Sequence, residues 1–287
     1  MGSVVTVEEV RGGKGLTRFI ELPAVLDGDD PRFAPPVPAW ERFRLDSNRN
    51  PFFEAGDGVY LLARVGGRPA GRITAHLERP GAEGSFGFWW VDDDPAVART
   101  LVDAAADWLR EQGCGSMIGP LSFTAEEEAG VQVAGFDVGG VTGRPWHPER
   151  LAAALDALGF EGVEDRPTFR LPALSGAAPE PGGDDPPGHA GRHADPRLVL
   201  DGIAAVPDVS RAKQSSTLRG AWAEARQRRA RLWETAVVVR GTGDPAIKVP
   251  KLQLAAGAAG YSSVVTPWTA DADAAPETVH RIFRLVL

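Results

Sequence analysis

The sequence predicts an α/β protein, a mixed sheet flanked by helices, followed by a smaller α/β C-terminal part. Three observations predict it. Along residues 1–172 the apolar residues switch repeatedly between a period of two and a period near 3.6, the strand and helix spacings. Gly66-Gly67 separates two strand-like runs, a two-residue hairpin signal. The run ending at Val91 passes through Asp92-Asp93-Asp94-Pro95 directly into an apolar-periodic helix.

Taken in order, a strand is expected over 4–10 and a helix over 16–26. The stretch 30–53 opens as a proline-stiffened loop and contains a short helix over 40–46. Strands over 59–65 and 71–78 flank the glycine pair. In the second, Arg72, Thr74 and His76 alternate with Ile73, Ala75 and Leu77, which sets a polar row on one face. A strand over 85–91 turns Trp89 and Trp90 to opposite faces, one into the core and one towards a cleft. The helix over 95–112 places Val97, Leu101, Ala105 and Leu109 on one side, with Pro95 suited to its first turn and Gly113 to its end. A strand over 116–118 leads into a loop carrying Glu126, Glu127 and Glu128. A helix over 148–158 and a strand over 165–171 complete this part.

Residues 173–196 are almost wholly Pro, Gly, Ala, Asp and His and read as a flexible linker, because such a segment buries too little apolar surface to offset its ordering entropy. The domain division is therefore 1–172, linker 173–196, and 197–287. The last part reads βαβαβα, with strands over 198–206, 235–240 and 263–267 and helices over 210–232, 249–259 and 276–287.

Composition narrows the function classes. A formal net charge of −8 disfavours a nucleic-acid surface, although 211–231 holds a basic helix, read as a solvated or partner-docking face. The lone Cys114 excludes an intrachain disulfide and points to a reducing, cytoplasmic setting. No apolar run approaches the roughly 18 residues of a membrane span. The first residues lack the basic start and apolar core of a secretion signal. The dominance of arginine over lysine fits a GC-rich bacterial genome. The one cysteine sits in no metal-ligand spacing, and no metal is expected.

Eight short motifs occur in a fixed order: Phe19-Ile20-Glu21-Leu22-Pro23; Asp30-Pro31 to Pro36; Asn50-Pro51-Phe52-Phe53; Ala70-Gly71-Arg72-Ile73; Gly119-Pro120-Leu121-Ser122-Phe123-Thr124; Gly135-Phe136-Asp137; Trp146-His147-Pro148; and Leu158-Gly159-Phe160. Over about 18–171 the chain resembles the Gcn5-related N-acetyltransferase (GNAT)-like superfamily, in a bacterial branch marked by FIELP, NPFF and GPxNFS. The resemblance implies a GNAT-like mixed sheet splayed between its fourth and fifth strands, with a ligand cleft in the splay. The C-terminal part is then read as a degenerate second half of the same fold. In active members, a Gln/Arg-x-x-Gly-x-Gly/Ala loop holds the pyrophosphate of CoA. Here those positions are Asp93, Ala96 and Ala98, and the preceding aspartates repel an anion, so acetyl-CoA is disfavoured and no cofactor is expected.

Candidate site residues follow. Glu126, Glu127 and Glu128 are the candidate catalytic carboxylates, since clustered carboxylates raise one another's pKa; a solvated acidic turn is the alternative. His76 is a candidate proton shuttle and Arg72 a candidate anion holder, against a packed, hydrogen-bonded pair on a sheet face. Trp89, Trp90, Asp137, Trp146 and His147 are the remaining substrate-binding candidates, each with a packing or capping alternative. The three aspartates 92–94 read as helix caps.

The functional expectation is an enzyme on this scaffold acting on a small amine-bearing metabolite without acyl-CoA. Cleft carboxylates would abstract a proton for intramolecular displacement or elimination, in secondary metabolism. Acyl-CoA-dependent N-acyl transfer and a non-catalytic ligand-binding or partner-docking role are the alternatives. The expected partners are a small-molecule substrate and a protein partner or second copy, with neither nucleic acid nor membrane.

Overall fold

The computed structural model describes residues 4–34, 38–140, 144–172, 174–176, 235–237, 253, 263–266, 271 and 273–287. The elements are β1 (Val5–Glu9), α1 (Gly13–Asp27), α2 (Pro38–Arg44), a 3-10 turn (Pro51–Glu54), β2 (Gly56–Val65), β3 (Arg68–Glu78), β4 (Glu83–Val91) and α3 (Pro95–Glu111). They continue with β5 (Ser116–Gly119), β6 (Leu121–Ser122), β7 (Thr124–Ala129), β8 (Val131–Ala134), α4 (Arg150–Ala157), β9 (Glu161–Pro172), β10 (Thr235–Val237), β11 (Ser263–Thr266) and β12 (Thr278–Val286).

The fold class is α/β, with one large mixed sheet flanked by helices. Its strand order is β1-β2-β3-β4-β5-β12-β9-β11-β10, with β8 also paired to β12 and β6-β7 forming a separate ribbon. The β2–β3 hairpin closes through Gly66 and Gly67, both at positive φ (59° and 83°), the conformation that a two-residue turn of matching twist requires. α3 begins as its sequence dictates: the Asp94 carboxylate accepts from the Ala96 N–H at 2.9 Å, and Pro95 fills the first position.

Alternation along β3 divides the core in two. A Cβ on Gly71 would strike Val97 and Leu101, so odd positions face α3. Beneath α3 and α4 lies the larger cluster, including Ile73, Phe86, Leu101, Leu109, Leu151 and Phe160. Even positions face α1: Arg72 donates to the Phe19 carbonyl at 2.7 Å. There the smaller cluster gathers Phe19, Ile20, Leu22, Leu62, Phe88 and Phe123.

β4 and β5 run parallel and pair only over Glu83–Ser85 and Ser116–Ile118, then separate. β5 and β8 both run antiparallel to β12, β5 against residues 283–286 and β8 against 279–281. They are one strand interrupted by the β6–β7 ribbon, which leaves the sheet at the splay. Gly87 permits the departure: a Cβ there would lie 1.8 Å from the Leu121 carbonyl oxygen.

Two expectations are corrected. The segment carrying Glu126–Glu128 is strand β7, not a loop, because its backbone pairs with Leu121 and Ser122. The helix expected over 276–287 is strand β12, paired on both edges by β5 and β9. Its apolar residues satisfy a helical spacing, but its β-branched and aromatic content suits a slot buried between two strands, and tertiary pairing decides short apolar runs. β12 and β11 thus bring residues of 197–287 into the sheet formed by 1–172. The strand expected over 198–206 and the helices over 210–232 and 249–259 lie outside the described residues, Gln253 excepted, as does the linker apart from 174–176.

Candidate active site

Five of the eight motifs meet on the α1 face of the sheet, around the splay. The Asn50 side chain accepts from Phe52 N–H at 3.0 Å and donates to the Arg44 carbonyl at 2.7 Å, which fixes the NPFF turn against α2. Phe52 and Phe53 then pack on Phe123, with ring centroids 5.1 and 5.2 Å away. Phe123 also touches His76 (5.1 Å) and Phe88 (5.4 Å). Phe88 and Phe123 have left-handed backbones (φ 50° and 74°), a conformation that bulky residues avoid and that concentrates at functional sites.

Above these rings lies a buried charge cluster. Arg44, 2% exposed, binds Glu41 at 3.0 Å and Glu128 at 3.3 Å and stacks 4.7 Å over Phe88. Arg72 lies 5.1 Å over Phe19. Burial holds Arg72 down to about 10, offset in part by the charges of Glu41 and Glu128. Burial likewise holds Arg144 at about 10. The Glu128 charge acts on Arg72, Arg144 and His280, in each case less than burial does. Its side chain is 36% exposed, whereas Arg44 and Glu41 beneath it are buried. Solvent and a ligand therefore reach Glu128 and not its partners.

The polar row continues across the sheet. Arg72 pairs in register with Trp90, Gln132 with His280, and Thr278 with Thr168, so the members of each pair share a face. His147 stacks between Trp90 (5.4 Å) and His280 (5.6 Å). Burial is the leading cause that pushes His76, His147 and His280 each down to about 3, so all three are neutral near pH 7.

Of the sequence-predicted residues, the structure brings Glu128, His76, Arg72, Trp90 and His147 onto this face. The side chains of Glu126 and Glu127 lie outside the described residues. His76 is buried, with Thr74 Oγ1 3.3 Å from its Nδ1. His147 Nδ1 accepts from Gln132 N–H, and Gln132 Oε1 accepts from the His147 N–H. Trp89 sits in the larger core and donates to the Leu151 carbonyl. Both tryptophans are buried. Trp90 Nε1 donates to Asp27 at 2.6 Å. Trp146 donates to the Phe136 carbonyl, with Arg32 4.7 Å over its ring. Asp137 is exposed on the turn after β8. Sequence reasoning missed Glu41, Arg44, Gln132, Arg144, Thr168 and His280. Arg144 stands beside the Trp146-His147-Pro148 motif, and the alternation of Thr278, His280 and Ile282 was the available sign of a strand.

The N-terminus of α3 does not fit a pyrophosphate. Asp94 occupies the Ala96 N–H and Asp92 accepts from the Asp94 N–H at 3.1 Å. Arg150, 3.8 Å from Asp93, is committed to Asp27 through two bonds and to the Val91 carbonyl at 2.8 Å. The cation and the N–H groups that an anion would need are already engaged. Among the described residues no group of three His, Cys, Asp or Glu is placed to hold a metal ion, and no helix is long and apolar enough to cross a membrane.

This architecture defines the class: the chain has a GNAT-like fold. It is similar to the GCN5-related glucosamine N-acetyltransferase region of a fungal multi-domain GH3 β-N-acetylglucosaminidase, at 12% identity and TM-score 0.56 over 99% of this chain and 38% of that one. It is also similar to a tandem GNAT protein from the clavulanic acid biosynthesis pathway, at 13% identity and TM-score 0.51 over 99% of this chain and 98% of the other.

More particularly, the chain is 33% identical over 168 residues to the bacterial ceramide synthase of Caulobacter vibrioides (strain NA1000 / CB15N), covering 56% of this chain and 44% of that protein. It is 36% identical over 160 residues to Protein YghO of Escherichia coli (strain K12), covering 52% and 40%. The chain spans less than half the length of these curated relatives. No family model matches it.

Proposed function

We propose that the chain transfers an acyl group to a primary amine, with Glu128 at the point of reaction. The observation that carries this reading is the half-exposed Glu128 carboxylate standing over a buried polar face at the β4–β5 splay. An alkylammonium must lose a proton before its nitrogen can attack, and an accessible carboxylate both attracts the ammonium and accepts that proton. The amine nitrogen then bonds to the acyl carbonyl carbon, the bond to the leaving group breaks, and the leaving group departs with its electron pair and takes up the nitrogen's second proton, leaving a neutral amide. Two findings support amide formation: the GNAT-like fold, and the likeness to a ceramide synthase, since a ceramide is the N-acyl derivative of a long-chain amino alcohol. The capped α3 terminus argues for a donor recognised by something other than a pyrophosphate there.

That same capping favours a second reading, proton abstraction from an amine by Glu128 followed by displacement or elimination without any acyl donor. Mass spectrometry separates the two. Incubating the protein with long-chain primary amines and activated acyl esters yields an amine carrying the added acyl mass under the first reading. Under the second the amine alone is converted, at unchanged mass or with loss of a small molecule. Glu128→Gln is expected to lower turnover about 10²–10⁴-fold with the melting temperature retained, the usual worth of a general base. Full activity in that variant removes Glu128 from both readings.

A further inference from the structure

Between β8, β9, β12 and the loop after β8 lies a water-sized cavity bordered by Gln132, Gly139, Gly140, Arg144, Thr168 and His280. Most of its polar lining is committed. Gln132 uses its oxygen on His147 N–H and its amide on the Gly135 and Ala134 carbonyls. Glu277, at the rim, is bound to Arg170 at 2.6 Å. Two of the lining residues are different: His280 Nδ1 and Thr168 Oγ1 are buried and have no hydrogen-bond partner among the described residues. Their residues are 1% and 3% exposed.

The tautomer of His280 is set by its surroundings. Nε2 lies 2.9 Å from the Pro145 carbonyl, which only accepts, so Nε2 carries the hydrogen and Nδ1 of the neutral ring offers a lone pair. Burial, His147 and Arg144 keep the ring neutral. Thr168 supplies a hydroxyl that donates or accepts. The group that completes Nδ1 must donate to it, and Thr168 Oγ1 takes either role. An ammonium could donate to both but would sit beside the Arg144 cation. A carboxylate has no hydrogen for Nδ1. A neutral hydroxyl donates to Nδ1, pairs with Thr168 in either direction and adds no charge.

We propose that His280 and Thr168 form a subsite that reads a hydroxyl group of the substrate. Its place is argued from the same face of the sheet that carries Glu128, whose charge is felt at both His280 and Arg144. As a statement about the acceptor amine it rests on the acyl-transfer reading above; as a statement about binding it does not. The subsite makes the preferred ligand an amino alcohol over the plain amine of equal chain length. Buried polar groups left unpaired by the wrong ligand are what make such discrimination steep.

Calorimetry with a long-chain 2-amino-1-alkanol and the alkylamine of the same length tests this. Wild-type protein is expected to bind the amino alcohol at least about tenfold more tightly, a factor worth about 1.4 kcal/mol. Thr168→Val keeps the shape and removes the hydroxyl. It is expected to fold with unchanged or raised melting temperature and to reduce the preference, and His280→Phe to abolish it. Equal affinity for the two ligands, absence of binding by both, or a preference that survives Thr168→Val overturns the subsite. If both amines are acylated equally well, the subsite falls and acyl transfer stands. If the preference is measured but no amine is acylated, acyl transfer falls and the subsite stands.

Discussion

The two faces of β3 and β4 are built from the same two strands to opposite ends. The α3 face is apolar: Ile73, Phe86, Leu101 and Leu109 are completely buried there and make no polar demands. The α1 face buries Arg72 and His76 of β3 together with Glu41 and Arg44 of α2, among aromatic rings. A face designed only to pack does not need this, because buried ion pairs rarely outdo apolar side chains of equal volume. The first face holds the sheet together, and the second is the one proposed above to carry the reaction. Substitutions on each should therefore separate stability from activity.

The largest effect is expected at Arg44. Arg44→Ala removes a buried cation from beside Glu41, itself 3% exposed, and should cost about 3–5 kcal/mol in denaturant unfolding, while also releasing Glu128. Little change in stability would show that water replaces the guanidinium and that the cluster is not truly buried. On the opposite face, Leu101→Ala should cost about 2–5 kcal/mol by leaving a cavity, yet keep ligand discrimination intact. If it destroys binding as thoroughly as Arg44→Ala, the division between the faces fails.

The histidines sharpen the comparison through pH. His76, His147 and His280 are pushed down to about 3 by burial, from an ordinary value of 6.5. Between those values the unfolded chain binds more protons than the folded one, so stability is full above about pH 6.5 and falls as pH drops below it. Between about pH 6.5 and 5 most exposed carboxylates still carry charge, so the decline there reports the histidines. His76→Phe should lower the slope by about a third, and an unchanged slope would place the proton uptake elsewhere. The smallest effect belongs to the α3 terminus. Asp94→Ala loses one cap bond, about 1 kcal/mol by thermal melting, and frees the Ala96 N–H. Protection of this variant by inorganic phosphate, absent in the parent, would show that the aspartate is what closes the terminus to anions.

How much of this was legible depended on sequence distance. The β2–β3 hairpin was readable because Gly66 and Gly67 encode their own turn, and α3 because Asp94, Pro95 and Gly113 mark its ends. The polar row of Arg72, Thr74 and His76 followed from alternation alone. Glu128 was found for its chemistry, but its setting was not: a run of three glutamates has little strand propensity, and only pairing to Leu121 and Ser122 makes it one. β12 was misread because its partners, β5 and β9, lie more than 100 residues earlier and nothing local announces them. That error concealed His280, which a helix would have placed elsewhere. Arg44 and Glu41 were hidden differently, since Trp40-Glu41-Arg42-Phe43-Arg44 looks like a solvated helix until the NPFF turn folds over it.

The place of β12 also orders events in time. During synthesis β1 to β9 emerge first, yet β9 has no neighbour to join it to β5 until residues 278–286 have left the ribosome. Until then the splay stands open on one side, His280 is absent from the site, and Phe283, completely shielded in the finished sheet, has no pocket. So long-range a closure makes for slow folding. It also means that the candidate site is incomplete until β12 is in place, and that a nascent chain arrested before β12 leaves the edges of β5 and β9 that β12 covers bare to its neighbours.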